Sequence, residues 1–119
     1  MSFKQECQEL LDHYVTCYQQ GDAKGCASIY AANAEMYSPF GPPAFGRRAI
    51  EDTHSEWVAE GADNKNISVT SASRDGDLGW CLAAFSEGST GQGVSLNVLA
   101  RQPDGGWLIT HCSLNDLKS

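Results

Sequence analysis

The chain has 119 residues and an apolar fraction of 41%, which suits one domain around one core without metals or disulfides. Its 15 Asp and Glu outnumber 8 Lys and Arg, for a net charge of −7, so nucleic acid and anionic membrane surfaces are disfavoured as partners. No apolar run reaches the ~18–20 residues that span a bilayer, and Met1 to Glu9 lacks the apolar stretch of a secretory signal, so a cytoplasmic protein is expected.

Phe3, Cys7, Leu10, Leu11, Tyr14 and Tyr18 recur at helical spacing between Ser2 and Gln20, with polar residues between them. Gly21 permits the left-handed conformation that ends such a helix. Asp22 is the cap of a second, shorter helix, with Ala23, Cys26, Ala27 and Tyr30 on one side. A short strand is expected within Ala34 to Phe40, broken by Gly41-Pro42-Pro43. A third helix runs from about Arg47 to Glu60, with Ile50, His54, Trp57 and Val58 on one face and Gly61 as its stop.

From there the period changes from 3.6 to 2. Ile67 to Thr70 alternates, Asp75-Gly76-Asp77 reads as a hairpin turn, and Leu78 to Ser86 as a mostly apolar strand. Glu87 to Gly93 reads as a loose turn, Val94 to Gln102 as a strand, Asp104-Gly105-Gly106 as a second hairpin turn, and Trp107 to Asn115 as the last strand. Helices followed by an antiparallel meander define an α+β domain, 1–119, in which three helices cover one face of a curved antiparallel sheet. The five cysteines are odd in number and show no C-x-x-C spacing, so they read as reduced, buried small hydrophobes.

The series Tyr14-Val15, Gln20-Gly21-Asp22, Ile29-Tyr30-Ala31, Ala34-Glu35-Met36, Phe45-Gly46-Arg47 and Ala49-Ile50 resembles the NTF2-like superfamily, in particular its SnoaL-like and ketosteroid-isomerase-like branches. Asp75-Gly76-Asp77-Leu78 and Asp104-Gly105-Gly106-Trp107-Leu108-Ile109 extend the likeness over most of the chain. The resemblance implies a cone-shaped, cystatin-like α+β barrel, a pocket between helices and sheet, and a homodimer formed through the outer sheet face. It does not imply one reaction, because the same fold carries isomerases, hydratases and binding modules.

In the ketosteroid isomerases a carboxylate moves a proton while a tyrosine and a protonated aspartate stabilise the enolate. Carried onto this chain, the tyrosine falls at Tyr14. The base position falls at Ser38, before Pro39, where a hydroxyl cannot collect a proton near neutral pH. The second donor falls at Asn97, which donates but does not titrate.

His54, on the apolar side of the third helix, is the alternative acid–base candidate. Tyr14, His54 and Asn97 are therefore the candidate catalytic set. Tyr18, Met36, Ser38, Phe40, Trp57, Trp80, Thr110 and Cys112 are the candidate ligand-binding wall. Strand alternation with Asn97 facing inward puts Thr110, Cys112 and Leu114 in the pocket, and Trp107, Ile109 and His111 on the outer, dimer-facing side. His54 and His111 come from separate elements, so no metal is expected, nor any other cofactor. Two functions compete: a small-molecule pocket with isomerase- or hydratase-type chemistry on a mostly apolar ligand, and a non-catalytic dimeric module that binds a ligand or partner.

Overall fold

A computed structural model describes residues 2–60, 65–87 and 91–117. Helix α1, Phe3–Gln19, opens on a capping box in which the Ser2 hydroxyl accepts from the Gln5 amide and the Gln5 side chain accepts from the Ser2 amide. Its buried stripe is Cys7, Leu11, Tyr14, Cys17 and Tyr18, the spacing that puts side chains on one face. Gly21, at φ 73°, turns the chain into the short α2, Ala23–Ala27, which Asp22 caps through the Gly25 amide at 2.9 Å.

Strand β1 is Tyr30–Tyr37, β2 is Ala44–Phe45, and α3 is Arg47–Ala59. Then come β3, Lys65–Asp75; β4, Leu78–Glu87; β5, Gly91–Arg101; and β6, Trp107–Asp116. The six strands form one sheet in the order β2-β1-β6-β5-β4-β3. Three helices pack on this curved, mixed sheet, so the α+β class expected from the chain order is the one observed. Gln8 of α1 clamps the edge strand β3 like one more strand residue, donating to the Ile67 carbonyl at 2.9 Å and accepting from the Val69 amide at 2.7 Å.

Four details differ from the sequence expectation. First, β1 starts at Tyr30, so Tyr30 belongs to a strand and not to the second helix. Second, β1 pairs β6 in parallel, with Met36 opposite Cys112, so the sheet is antiparallel everywhere except at that pair. The helix α3 and the later strands intervene between the two, and no local pattern announces so distant a pairing. Third, Ala44–Phe45 add a sixth, two-residue strand beside β1. The expected helix stop at Gly61 and the centre of the expected turn, residues 88–90, lie outside the described residues.

The fourth difference concerns β6. Leu99 faces Ile109 and Val98 faces His111, so Thr110 has no cross-strand partner and forms a bulge. The extra residue resets the alternation. Trp107 and Ile109 point into the core before it, and Cys112 and Leu114 point inward after it. The placement of Trp107 and Ile109 on the outer face is thereby corrected, since Ile109 is only 1% exposed. Strand β3 repeats the device at Thr70, and each bulged threonine donates its hydroxyl to a carbonyl of the neighbouring strand: Thr110 to Val98 at 3.2 Å and Thr70 to Leu82 at 3.1 Å.

Candidate functional site

Helices α1 and α3 and the concave sheet face enclose a cavity of about 280 Å³. Tyr14 and Tyr18 of α1, Tyr30 of β1, Trp57 of α3 and Phe85 of β4 form aromatic walls, with Phe40, Ile67 and Leu114 beside them. Ser95 and Asn97 of β5 and Cys112 of β6 supply buried polar points, and Glu60, Lys65, Glu87 and Gly91 complete the lining.

Tyr14 and His54 meet, although 40 positions separate them, with the tyrosine oxygen 2.8 Å from Nε2 of the ring. The other ring nitrogen, Nδ1, lies 2.8 Å from the Ile50 carbonyl one turn back on α3. A carbonyl only accepts, so Nδ1 carries the hydrogen and Nε2 accepts from the Tyr14 hydroxyl. Tyr14, Tyr30 and Trp57 surround the imidazole, with ring centroids at 5.4, 6.1 and 4.9 Å. His54 is wholly buried. Burial lowers its pKa to about 4, the Ile50 carbonyl opposes the shift, and the Lys65 charge adds to it. The tyrosine hydroxyl is raised well above its ordinary value, first by burial. At neutral pH the pair is therefore uncharged, with one proton held between two acceptors.

This arrangement corrects two expectations. His54 sits behind the tyrosines and does not face the cavity, so it is no solvent-reachable base. Tyr14 does line the cavity, but its one proton goes to His54, so it offers a ligand lone pairs and not a donor. Glu51 and His54 stand at E-x-x-H spacing, but both ring nitrogens are engaged. Among the described residues no group of three His, Cys, Asp or Glu is placed to hold a metal ion.

Of the expected wall, Tyr18, Phe40, Trp57 and Cys112 line the cavity, as does Asn97 of the expected catalytic set. Asn97 is buried and its Nδ2 donates to the Ser95 hydroxyl at 3.1 Å. Burial raises the Cys112 thiol to about 12, so it stays protonated and weakly nucleophilic. The other four fall elsewhere. Met36 packs into the core. Ser38 accepts from the Phe40 amide at 2.9 Å, holding the loop after β1. Thr110 is the bulge residue. Trp80 alternates with the inward Cys81 and projects from the outer face, 41% exposed.

Sequence reasoning also missed residues, above all Lys65. The expected alternation began at Ile67 and left out Lys65, which is in phase with Ile67 and Val69. In the fold its side chain is only 10% exposed and its Nζ lies 4.2 Å from the centre of the Tyr18 ring. Tyr30 was missed because its strand was assigned to a helix.

The fold is cystatin-like and NTF2-like, as the solved structures it superposes on show. A ketosteroid isomerase-like protein from Erwinia carotovora atroseptica superposes with a TM-score of 0.76 at 14% identity, over 94% of each chain. An NTF2-like protein with a cystatin-like fold from Novosphingobium aromaticivorans gives 0.75 at 21% identity, over 97% of this chain and 82% of that one. A putative calcium/calmodulin-dependent protein kinase type II association domain from Thiobacillus denitrificans gives 0.79 at 15% identity, over 93% and 94%. Residues 11–102 match the SnoaL-like domain, and the chain belongs to that family. No curated protein matches it in sequence.

Proposed function

We propose that the protein binds a small, mostly apolar molecule in the cavity between α1, α3 and the sheet, without proton-transfer chemistry by the Tyr14–His54 pair. The observation that carries this reading is the cavity itself: about 280 Å³, walled by aromatic rings, with a few buried polar atoms at its sheet side. That is the lower end of the roughly 300 Å³ and upward typical of small-molecule sites, and the mixture of walls is theirs too. The Ser95 hydroxyl accepts from Asn97 and keeps its own proton for a ligand acceptor, while the Tyr14 oxygen can accept. Ser38, where an isomerase-type base would stand, has no carboxylate, and His54 is held neutral out of reach. Binding is thus better supported than isomerase or hydratase chemistry.

The test is a thermal-shift series of small alcohols, ketones and acids on wild type and on Ser95→Leu, which fills the cavity from β5. A ligand at a hundredfold excess over its Kd stabilises the native state by about 2.7 kcal/mol, a shift of several degrees. Expected are hits on wild type that disappear in Ser95→Leu. Equal shifts in both proteins, or none in wild type, would overturn the reading.

The same proposal includes a second copy of the chain as partner. Trp80, Leu82, Leu96 and Val98 lie together on the sheet face away from the helices, where Leu82 is paired with Leu96 and Trp80 with Val98. An apolar patch on a twisted sheet of this kind suits a face-to-face dimer.

A further inference from the structure

Lys65 opens β3 directly opposite Glu87, the last residue of β4. Its Nζ is 3.7 Å from the Glu87 carboxylate, 4.2 Å from the Tyr18 ring centre and 5.9 Å from those of Tyr14 and Phe85. Glu60 lines the same cavity. Among the described lining residues Lys65 is the one cation, against two carboxylates. A carboxylate or phosphate ligand would meet a lining of net negative sign, so anchoring an anion is not the chemistry this lysine suits. What remains is a primary amine on aromatic faces, at the wall of a site for small apolar molecules, with a carboxylate beside it.

We propose that Lys65 captures small apolar aldehydes or ketones covalently, as an imine, with Glu87 relaying the protons. The proposal rests on the reading of the cavity as a small-molecule site and adds the ligand class. The neutral amine's lone pair forms the new N–C bond while the carbonyl π pair moves to oxygen. Glu87 takes a proton from nitrogen and returns it to that oxygen, giving a carbinolamine. Loss of the second amine hydrogen with the hydroxyl as water then leaves the C=N bond, with no change of oxidation state. Hydrolysis by the reverse path releases the carbonyl compound.

Burial lowers the Lys65 pKa, opposed by the Glu87 charge, which enlarges the share of neutral amine relative to a solvated lysine. Cys26 also opposes the shift, Glu60 adds a carboxylate to the lining, and His54 is held neutral, while Tyr14 and Tyr18 are both raised by burial and bring no further charge.

Benzaldehyde followed by borohydride is the probe, read by intact mass and peptide mapping on wild type, Lys65→Met and Lys65→Arg. The arginine variant keeps a cation over Tyr18 but cannot form an imine, so it separates chemistry from folding. Benzyl alcohol, of the same shape without the carbonyl carbon, is run in parallel by thermal shift. Expected is one benzyl group per wild-type chain, on Lys65 ahead of Lys4 and Lys24, lost in both variants. A thermal shift with benzyl alcohol but no preferential adduct on Lys65 overturns the imine and leaves the cavity reading standing. No shift with the alcohol and no adduct overturns both.

Discussion

Replacing His54 by glutamine removes a deeply buried group whose charging on acidification opposes the fold, and its effect on acid stability follows from the ring's surroundings. In the unfolded chain the imidazole titrates near 6.5; in the fold, enclosed by Tyr14, Tyr18, Tyr30 and Trp57, it titrates at about 4. Between those values the unfolded chain binds a proton that the folded chain refuses, so stability rises with pH across the window. The contribution is complete above about pH 6.5, falls as pH drops toward 4 and levels off below it. At about 1.4 kcal/mol per pH unit, the distance from 6.5 to about 4 amounts to about 3 kcal/mol.

Glutamine keeps an acceptor for the Tyr14 hydroxyl but does not titrate. Urea unfolding followed by tryptophan fluorescence, from about pH 7 to pH 4, should therefore show wild type losing about 3 kcal/mol more than His54→Gln. The carboxylates shared by both proteins cancel in that difference. Parallel stability curves would refute the reasoning, as would an NMR titration of the His54 ring with a midpoint near 6.5.

Two further outcomes follow from packing. A Cβ on Gly93 would run into the Asn115 carbonyl oxygen and the Phe85 ring, so Gly93→Ala should destabilise by about 1–3 kcal/mol in urea unfolding, and an unchanged midpoint would contradict the close packing of β4, β5 and β6 there. Leu96 is 43% exposed on the outer sheet face, so Leu96→Lys should leave the monomer folded and abolish the proposed dimer in sedimentation velocity; a variant that sediments as wild-type dimer would exclude that face.

The helices were legible because each carries its own evidence. The stripe of α1 and the face of α3 are local patterns, and Asp22 and Gly21 punctuate the chain where the elements change. The hairpin strands were legible for the same reason: turn residues and alternation lie side by side in the sequence. The parallel pairing of β1 with β6 was not, since it depends on which edge remains free after the meander has formed. Trp80 was placed in the wall because it is large and aromatic, yet its alternation with Cys81 and Ala83 already pointed it outward. Lys65 was missed because the expected strand began at Ile67, two residues after it. The protonation of His54 was beyond any local pattern, being set by rings from α1, β1 and α3 together.

The bulge at Thr110 divides β6 into two segments with separate duties. Trp107 and Ile109, before it, belong to the packing under the start of α1, where Trp107 meets Phe3 at 4.7 Å. Cys112 and Leu114, after it, line the cavity. Substitutions that reshape the cavity wall can therefore accumulate on one side of a single threonine while the residues that secure the fold on the other side stay fixed. The strand gives the protein a place where the shape of the cavity can drift without the scaffold having to follow.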